Sequence, residues 1–132
     1  MNYWLVKTEP STYAWADLVR DTQTDWNGVR NFGARNHLRA MKKGDQVFVY
    51  HSVDEKAIVG IAEVVGEAVP DTSATDGDWS MVKLAATESM YQPVTLDKIK
   101  RTTSLKDMVL VKKSRLSVQP VTKDEWKTCL SL

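Results

Sequence analysis

Cysteine and histidine are scarce in this chain, and their scarcity excludes several kinds of chemistry. Among 132 residues there is one cysteine, Cys129, and there are two histidines, His37 and His51. A single cysteine forms no disulfide within the chain, so we expect a reducing, intracellular setting such as the cytoplasm. None of these three residues shows the paired spacing of a metal site, and we expect neither a metal nor another cofactor.

Long hydrophobic runs are also missing. No stretch reaches the roughly 20 apolar residues that a membrane span requires, so we expect no membrane partner. The first residues, MNYWLVK, show no basic leader before a long apolar run, and we expect no signal peptide. The length suits one domain over residues 1–132, favoured as a monomer, and 42% hydrophobic residues with five tryptophans suffice for a core.

The charge is balanced overall but segregated along the chain. The net charge is +1, yet residues 26–43 carry five bases and no acid, and residues 95–115 carry seven bases against two acids. Between them, residues 54–78 carry seven acids against one lysine. Such segregation makes a polarised surface if the fold brings the two basic segments together, and otherwise leaves ordinary solvated faces.

Five apolar runs predict strands. They are YWLVK (3–7), QVFVYHS (46–52), AIVGIAEVVGEAV (57–69), WSMVKLAAT (79–87) and at least part of MVLVKKSRLSVQPV (108–121). The first is apolar without proline, which predicts a central strand buried on both faces. Gly60 and Gly66 are expected bulge points in the third run, and TQTDWNG (22–28) reads as a loop.

Helices are predicted between and after these strands. A short helix should follow Ser11 or Thr12 as cap, and a second should span 32–43 behind the cap Asn31, with a basic stripe outside. The TLDKIKR stretch (95–101) predicts a helical turn, and Thr122 with Glu125 forms a capping box for a final helix. The order indicates a curved mixed sheet or small barrel of five or six strands with flanking helices, an α/β (α+β) fold.

The segment WNGVRNFGARNHLR (26–39) has the residue types of a nucleotide pocket. A base is a flat plate with a polar edge, so its reader requires rings for stacking and amides for the edge. Trp26, Asn27, Arg30, Asn31 and Asn36 supply both kinds within eleven residues. Each has a simpler interpretation, because Trp26 fits a core, Asn27-Gly28 a turn and Asn31 a helix cap. Their concentration beside a basic stripe favours the pocket.

The sequence contains little that is typical of an enzyme. His51 and Ser52 are adjacent on a predicted strand and so point to opposite faces, where a nucleophile and its base do not meet. No nucleophile elbow and no phosphate-binding glycine loop occur. Glu9 is the one obvious carboxylate near the expected pocket. We therefore expect a protein that is not an enzyme. Two alternatives remain: a nucleotide- or RNA-modifying enzyme, and a protein that binds a free nucleoside or another small molecule.

The stretches YWLVKTEP, WNGVRNFGARNHLRAMKKGDQVFVYHS, GIAEVVGEAVPD, WSMVKL and RLSVQPVT together resemble the EVE domain family over nearly the whole chain. The resemblance implies a PUA-like fold, similar to that of YTH and ASCH domains. It also implies a non-catalytic reader of a modified base, such as methylated or hydroxymethylated cytosine or methylated adenine, in DNA or RNA. The partner is then nucleic acid.

The resemblance also implies the ligand-binding residues. The TEP corner would form the rim, Trp26 and Trp79 would face each other as cage walls, and the residues after Trp26 would line the mouth. The full set is Lys7, Thr8, Glu9, Pro10, Trp26, Asn27, Gly28, Val29, Arg30, Asn31, Arg35, Asn36, Tyr50, Ser52, Trp79, Arg115, Ser117 and Gln119.

Overall fold

Six strands form one mixed sheet in the computed structural model, which describes residues 1–132. They are β1 (Tyr3–Thr8), β2 (Gln23–Trp26), β3 (Gln46–His51), β4 (Ala57–Pro70), β5 (Ser80–Thr95) and β6 (Val118–Val121). Their order is β2-β5-β4-β3-β1-β6, with β1 parallel to β3 and all other neighbours antiparallel. The predicted fold class and the interior position of β1 are confirmed, although the sheet is not closed into a barrel.

Both faces of the sheet carry a hydrophobic core. Alternate residues of β1 belong to different cores: Trp4 and Val6 pack in one and Leu5 packs in the other. This alternation follows from the two-residue period of a strand. It explains why residues 4–6 are all apolar, as expected for a strand in the interior of the sheet.

Two glycines of the long strand β4 lie at irregularities in its pairing with β5. The pairing of β4 with β5 shifts between Ile58 and Gly60 and on both sides of Gly66, so both predicted bulge points are confirmed. The indole of Trp15 packs directly on Gly60, where a Cβ would overlap the ring. A close approach of this kind requires glycine.

Five helices cover the sheet: α1 (Trp15–Asp21), α2 (Phe32–Ala40), α3 (Leu96–Lys100), α4 (Val109–Lys112) and α5 (Lys123–Ser131), with a 3-10 turn at Thr103–Leu105. Three predicted caps are confirmed, since the side chains of Asn31, Thr95 and Thr122 each accept a hydrogen bond from a backbone amide of the first helical turn. None of the helices has the length and apolar character of a membrane-spanning segment.

Four details of the sequence interpretation are wrong. Residues 23–26 form the edge strand β2 rather than a loop, and 109–112 form a helix rather than part of a strand. Helix α2 ends at Ala40, because Met41 already has an extended backbone with ψ 139°. The cap of α1 is Ala14, whose amide donates to the Asp17 carboxylate at 2.8 Å, so neither Ser11 nor Thr12 has that role.

The outer tryptophans lie in the two cores. Trp15 belongs to the core beneath α1 and α2, and Trp126 of α5 stacks on Phe48 with ring centroids 3.7 Å apart. The helix neighbour buried with Trp126 is Cys129 at i+3, whereas Leu130 at i+4 is exposed. Val19 of α1 is exposed as well.

Candidate functional site

A cavity of about 470 Å³ opens where the end of β1, the loop before α1, strand β2 and the loop before α2 meet. Its lining consists of Lys7, Thr8, Thr12, Tyr13, Thr24, Asp25, Trp26, Asn27, Gly28, Val29, Arg30 and Ser117. This volume lies within the roughly 300–1,000 Å³ range of small-molecule sites.

Two aromatic rings in the lining stand perpendicular to each other. The centroids of Tyr13 and Trp26 are 6.3 Å apart, and their planes meet at 82°. Trp26 is only 8% exposed and belongs to the core, whereas Tyr13 is partly exposed. A flat ligand parallel to one ring would meet the edge or face of the other ring at a right angle, an arrangement that aromatic pairs favour.

Polar side chains in the lining are free to bind a ligand. The side chains of Thr12, Asn27 and Ser117 make no hydrogen bond within the protein, whereas the Thr8 hydroxyl donates to the carbonyl of Tyr13 at 2.6 Å. Asparagine offers both a donor and an acceptor, and each hydroxyl offers both as well. The cavity therefore presents the mixed polar groups that the edge of a nucleobase requires.

A buried carboxylate holds the mouth of the cavity in place. The Asp71 side chain has no exposed surface. It accepts hydrogen bonds from the Gly28 amide at 2.8 Å, the Arg30 guanidinium at 2.9 Å, and both the amide and hydroxyl of Ser73. Burial raises the pKa of Asp71, but these hydrogen bonds together outweigh it and hold the pKa well below its usual value.

Beside the cavity lies an aromatic platform, formed by Phe32 and Trp79. Their rings stack with centroids 5.2 Å apart and an interplanar angle of 19°. The Arg35 guanidinium lies 5.0 Å from the Phe32 ring and 5.9 Å from the Trp79 ring, and Arg30 lies 5.6 Å from Trp79. Arg30 thus joins the platform to the cavity, since it lines one and contacts the other.

The basic stripe of α2 is partly neutralised by the loop between β4 and β5. Arg39 forms an ion pair with Asp78 at 2.7 Å, and Arg35 donates to the Asp78 carbonyl at 3.2 Å. The end of the second basic segment lies near α2, because the Leu116 side chain comes within 3.5 Å of the position that a Cβ on Gly33 would take. Burial lowers the pKa of His37, and Lys113 lowers it further. The fold therefore places the end of the second basic segment beside α2.

Eight of the eighteen predicted site residues line this cavity: Lys7, Thr8, Trp26, Asn27, Gly28, Val29, Arg30 and Ser117. Trp79 does not, because it stacks on Phe32 in the platform. Tyr13 is the second ring of the cavity. Glu9 and Pro10 lie in the turn that leads to Tyr13, whose amide donates to the Glu9 carbonyl.

The other predicted residues have different surroundings. Tyr50 and Gln119 are buried, and Tyr50 belongs to the core on the far face of the sheet. The Ser52 amide donates to the Thr8 carbonyl at 3.0 Å. Asn31 caps α2, and Asn36 accepts hydrogen bonds from Arg35. Arg115 is exposed without an ion pair, two residues before Ser117.

The Lys7 ammonium lies away from the cavity although the residue lines it. It donates to the Ser114 carbonyl at 2.7 Å and lies 5.8 Å from the centre of the Tyr50 ring. Lys7 and Tyr50 are cross-strand partners, so their side chains share the far face of the sheet. Burial lowers the pKa of this ammonium.

The sequence analysis did not select five residues that the structure places around the site. Four line the cavity (Thr12, Tyr13, Thr24 and Asp25) and Asp71 supports it. Asp71 had a signal, because aspartate two residues before serine is typical of a turn in which the carboxylate accepts from the later amide. Tyr13 had none, since the sequence does not say which ring the corner after β1 brings to Trp26.

The titratable residues that could act in catalysis are hydrogen-bonded, ion-paired or buried. His51 accepts from the Trp15 amide through Nε2 at 3.0 Å and donates through Nδ1 to Glu55 at 2.8 Å. Burial raises the pKa of Cys129 to about 12, so its thiol stays protonated. The one carboxylate in the cavity lining, Asp25, is 3.6 Å from Lys83. No group of three potential metal ligands occurs.

Comparison with known proteins gives a consistent family assignment. The EVE domain profile matches residues 2–132. Mouse thymocyte nuclear protein 1 is 37% identical, over 99% of this chain and 73% of that protein. A crystal structure from Agrobacterium tumefaciens superposes with a TM-score of 0.95 at 43% identity, covering 99% of this chain and 92% of that one. Human THYN1 in complex with 5-methylcytosine-containing DNA superposes with a TM-score of 0.92 at 34% identity, covering 99% and 96%.

Proposed function

The chain belongs to the EVE domain family, and from this premise we propose that it is a non-catalytic reader of a modified base in DNA. The cavity between Tyr13 and Trp26 takes the base, and the arginines beside it bind the phosphate backbone. The human relative crystallised with 5-methylcytosine-containing DNA supports cytosine methylation as the mark. We further propose that the protein acts inside the cell, in keeping with its single, buried cysteine.

The observation that carries this proposal is the composition of the cavity. It combines two perpendicular rings, three free polar side chains and a guanidinium within about 470 Å³. A base inside a duplex cannot reach such a cavity, so it must rotate out of the stack, as it does in enzymes that act on bases. The pocket then reads it by stacking and by hydrogen bonds to its edge.

The ring pair favours a methylated base for a simple reason. A methyl group adds apolar surface and leaves the polar edge of the base unchanged, so it gains from contact with aromatic carbon at about 25 cal/mol per Å² buried. The base plane stacks on one ring, and the methyl group reaches the other. Asn27, Ser117 and Thr12 bind the edge.

Phosphate binding is assigned to the groups between cavity and platform. Arg35 and Arg115 carry charges without an ion pair, and the amides of Phe32 and Gly33 at the start of α2 donate no hydrogen bond within the protein. Free amides at a helix start attract anions, because the helix dipole is positive there. These groups position the nucleic acid without specifying its sequence.

A non-catalytic role agrees with the engaged titratable groups. Both ring nitrogens of His51 have protein partners, and Cys129 is buried on the other side of the sheet from the cavity. A general base must lie within hydrogen-bond reach of the reacting proton. Asp25 is the one carboxylate in the lining, and Lys83 offsets its charge.

The test is a binding measurement with a variant that fills the cavity. Thr12 is exposed, lines the cavity and has no side-chain hydrogen bond, so Thr12→Trp places a large ring in the opening without touching the core. The adjacent Ser11 is exposed but does not line the cavity, so Ser11→Trp is the matched control. Fluorescence anisotropy compares duplexes with one 5-methylcytosine or one cytosine, and the corresponding RNA.

We expect the unaltered protein and Ser11→Trp to prefer the methylated duplex, and Thr12→Trp to lose that preference while retaining weak, salt-dependent binding. Equal binding of both duplexes by the unaltered protein would contradict the proposal. Stronger binding of the modified RNA would mean that the partner is RNA rather than DNA, with the modified base still in the cavity.

The second candidate function is binding of a free modified nucleoside. The ion pairs of Arg30 with Asp71 and of Arg39 with Asp78 favour it, because they reduce the positive charge available to a backbone. Backbone binding weakens steeply as salt rises, through the release of counterions. Affinity that is flat between low and physiological salt, together with tight binding of the nucleoside alone, would select this alternative.

A further inference from the structure

We propose that Phe32 is a wedge that enters the DNA duplex and fills the place of the extruded base. This inference rests on the proposed function, because a wedge is required only if a base leaves the stack. The partner of this exposed ring is the DNA duplex, and the ring contacts the two bases that flank the vacant position.

The first observation is the exposure of Phe32. Its residue surface is 66% exposed, although the ring stacks on Trp79 through one face. A large exposed aromatic at the first position of a helix contributes little to the core. Single exposed hydrophobic residues are common, so exposure alone does not carry the proposal.

The second observation is that the residues around the ring support it. Asn31 caps α2 directly before Phe32, with its side chain accepting from the Ala34 amide at 2.9 Å. Trp79 packs against Gly77, where a Cβ would come within 2.5 Å of the indole nitrogen. The ring therefore stands largely exposed at a capped helix start, supported on one side by the packed indole.

The third observation is charge. Arg35 lies against both rings and Arg30 against Trp79. Arg39 donates to Ser80 and Asp78, the two neighbours of Trp79 in the chain. Arg35 has no ion pair, so the platform carries a positive charge directly beside its rings. Aromatic and guanidinium planes together suit stacked bases and the phosphates that flank them. Charge complementarity and stacking thus favour nucleic acid as the partner.

The fourth observation is continuity with the cavity. Arg30 lines the cavity, lies 5.6 Å from the Trp79 ring, and precedes Phe32 by two residues. A base that rotates into the cavity leaves its gap in the duplex next to the mouth. Proteins that unstack bases insert phenylalanine or another apolar side chain into such gaps. Phe32, two residues after Arg30, is the exposed apolar side chain beside the cavity with that chemistry.

The test compares Phe32→Ala with a matched control, Tyr91→Ala. Tyr91 is a fully exposed aromatic residue toward the opposite end of β5 from Trp79. Three ligands separate the steps: a duplex with one 5-methylcytosine, the same strand without its complement, and the free methylated nucleoside. Phe32→Tyr is the conservative variant, since it retains the ring.

We expect Phe32→Ala to weaken duplex binding about tenfold, as for the loss of one stacking contact, and to change binding of the single strand and of the nucleoside by less than about twofold. Phe32→Tyr should restore duplex binding, and Tyr91→Ala should not alter it. Equal loss for single strand and duplex would contradict the wedge and make Phe32 an ordinary stacking contact.

Failure of the wedge and failure of the proposed function give different results. If the unaltered protein prefers the methylated duplex and Phe32→Ala binds it equally well, the wedge is wrong and the reader stands. If the unaltered protein shows no preference for any methylated ligand, the proposed function is wrong, and the wedge is wrong with it.

Discussion

The Arg30 guanidinium donates to the Asp71 carboxylate at 2.9 Å, across 41 residues of sequence. The same carboxylate oxygen accepts from the Gly28 amide at 2.8 Å, so one buried acid fixes both ends of the segment 28–30 at the cavity mouth. Gly28 adopts φ +81° there, a left-handed conformation that favours glycine. The mouth of the cavity is therefore pre-formed.

Asp71→Asn should loosen this mouth and destabilise the fold. The amide keeps the shape but loses the charge that Arg30 and the amides bind, and hydrogen bonds to charged groups contribute about 1.5–3 kcal/mol. We expect a loss of about 1–3 kcal/mol in the free energy of unfolding by urea at neutral pH, with weaker binding of methylated DNA. Asp78→Asn is the control. The Asp78 carboxylate is exposed where it pairs with Arg39, so its loss should cost less than about 1 kcal/mol.

The Asp71 effect should depend on pH in a defined direction. Its pKa is lower in the folded than in the unfolded state, so ionised Asp71 stabilises the fold fully above the unfolded value of about 3.9. That stabilisation declines as pH falls below this value toward the folded pKa. The difference in stability between the unaltered protein and Asp71→Asn should therefore shrink below about pH 4. A difference that stays constant down to pH 2.5 would contradict this.

Trp126→Ala should cost stability without affecting the site. The ring stacks on Phe48 at 3.7 Å and lies in the core on the face opposite the cavity. Truncation of a buried aromatic typically costs about 3–5 kcal/mol. Thermal and urea unfolding measure the loss, and DNA affinity measured well below the melting temperature should be unchanged. Reduced affinity in the still-folded variant would show coupling between the two faces of the sheet.

Gly60→Ala should destabilise the fold through Trp15. The added Cβ overlaps the indole, and overpacking of this kind costs about 1–3 kcal/mol. In a Trp15→Ala background the same substitution should cost much less, because the obstructing ring is gone. A double-mutant cycle by urea unfolding measures the coupling. Additive effects would mean that β4 shifts to accommodate the methyl group.

Arg115→Ala and Arg35→Ala should each weaken DNA binding by a similar factor for methylated and unmethylated duplexes. Each removes one phosphate contact, so the slope of log affinity against log salt should become shallower by about 1. Arg39 is a poorer probe, because its replacement also breaks the ion pair with Asp78. Arg101→Ala, at a residue paired with Asp97 on the surface, is the control. A change in the preference for methylation would contradict a backbone role.

Local signals in the sequence predicted much of the fold. The caps Asn31, Thr95 and Thr122 act within their own helical turns, and the apolar runs of β1 and β3 follow from burial on both faces. Strand β2 was missed because an edge strand with one buried residue, Trp26, has no readable alternation. The segment 109–112 was misread because a short apolar run suits a helix or a strand equally.

The site was less predictable, because long-range contacts assemble it. The concentration of polar and aromatic types after β2 was visible, and eight predicted residues meet around one cavity. The pairing of Tyr13 with Trp26, and of Trp79 with Phe32, depends on how the corner after β1 and the loop after β4 fold over the sheet. No local pattern encodes that choice. Trp26 itself is so buried that Trp26→Ala is expected to cost about 3–5 kcal/mol of stability, in addition to any effect on ligand binding.

The central claim is that a methylated base enters the cavity between Tyr13 and Trp26. The most direct measurement is an NMR spectrum of the protein bound to a duplex whose single 5-methylcytosine carries a ¹³C-labelled methyl group. We predict a ring-current shift of that methyl resonance and nuclear Overhauser contacts to the aromatic protons of both Tyr13 and Trp26, all absent in Thr12→Trp. A methyl resonance that keeps its free-duplex shift and contacts only neighbouring bases would contradict the account.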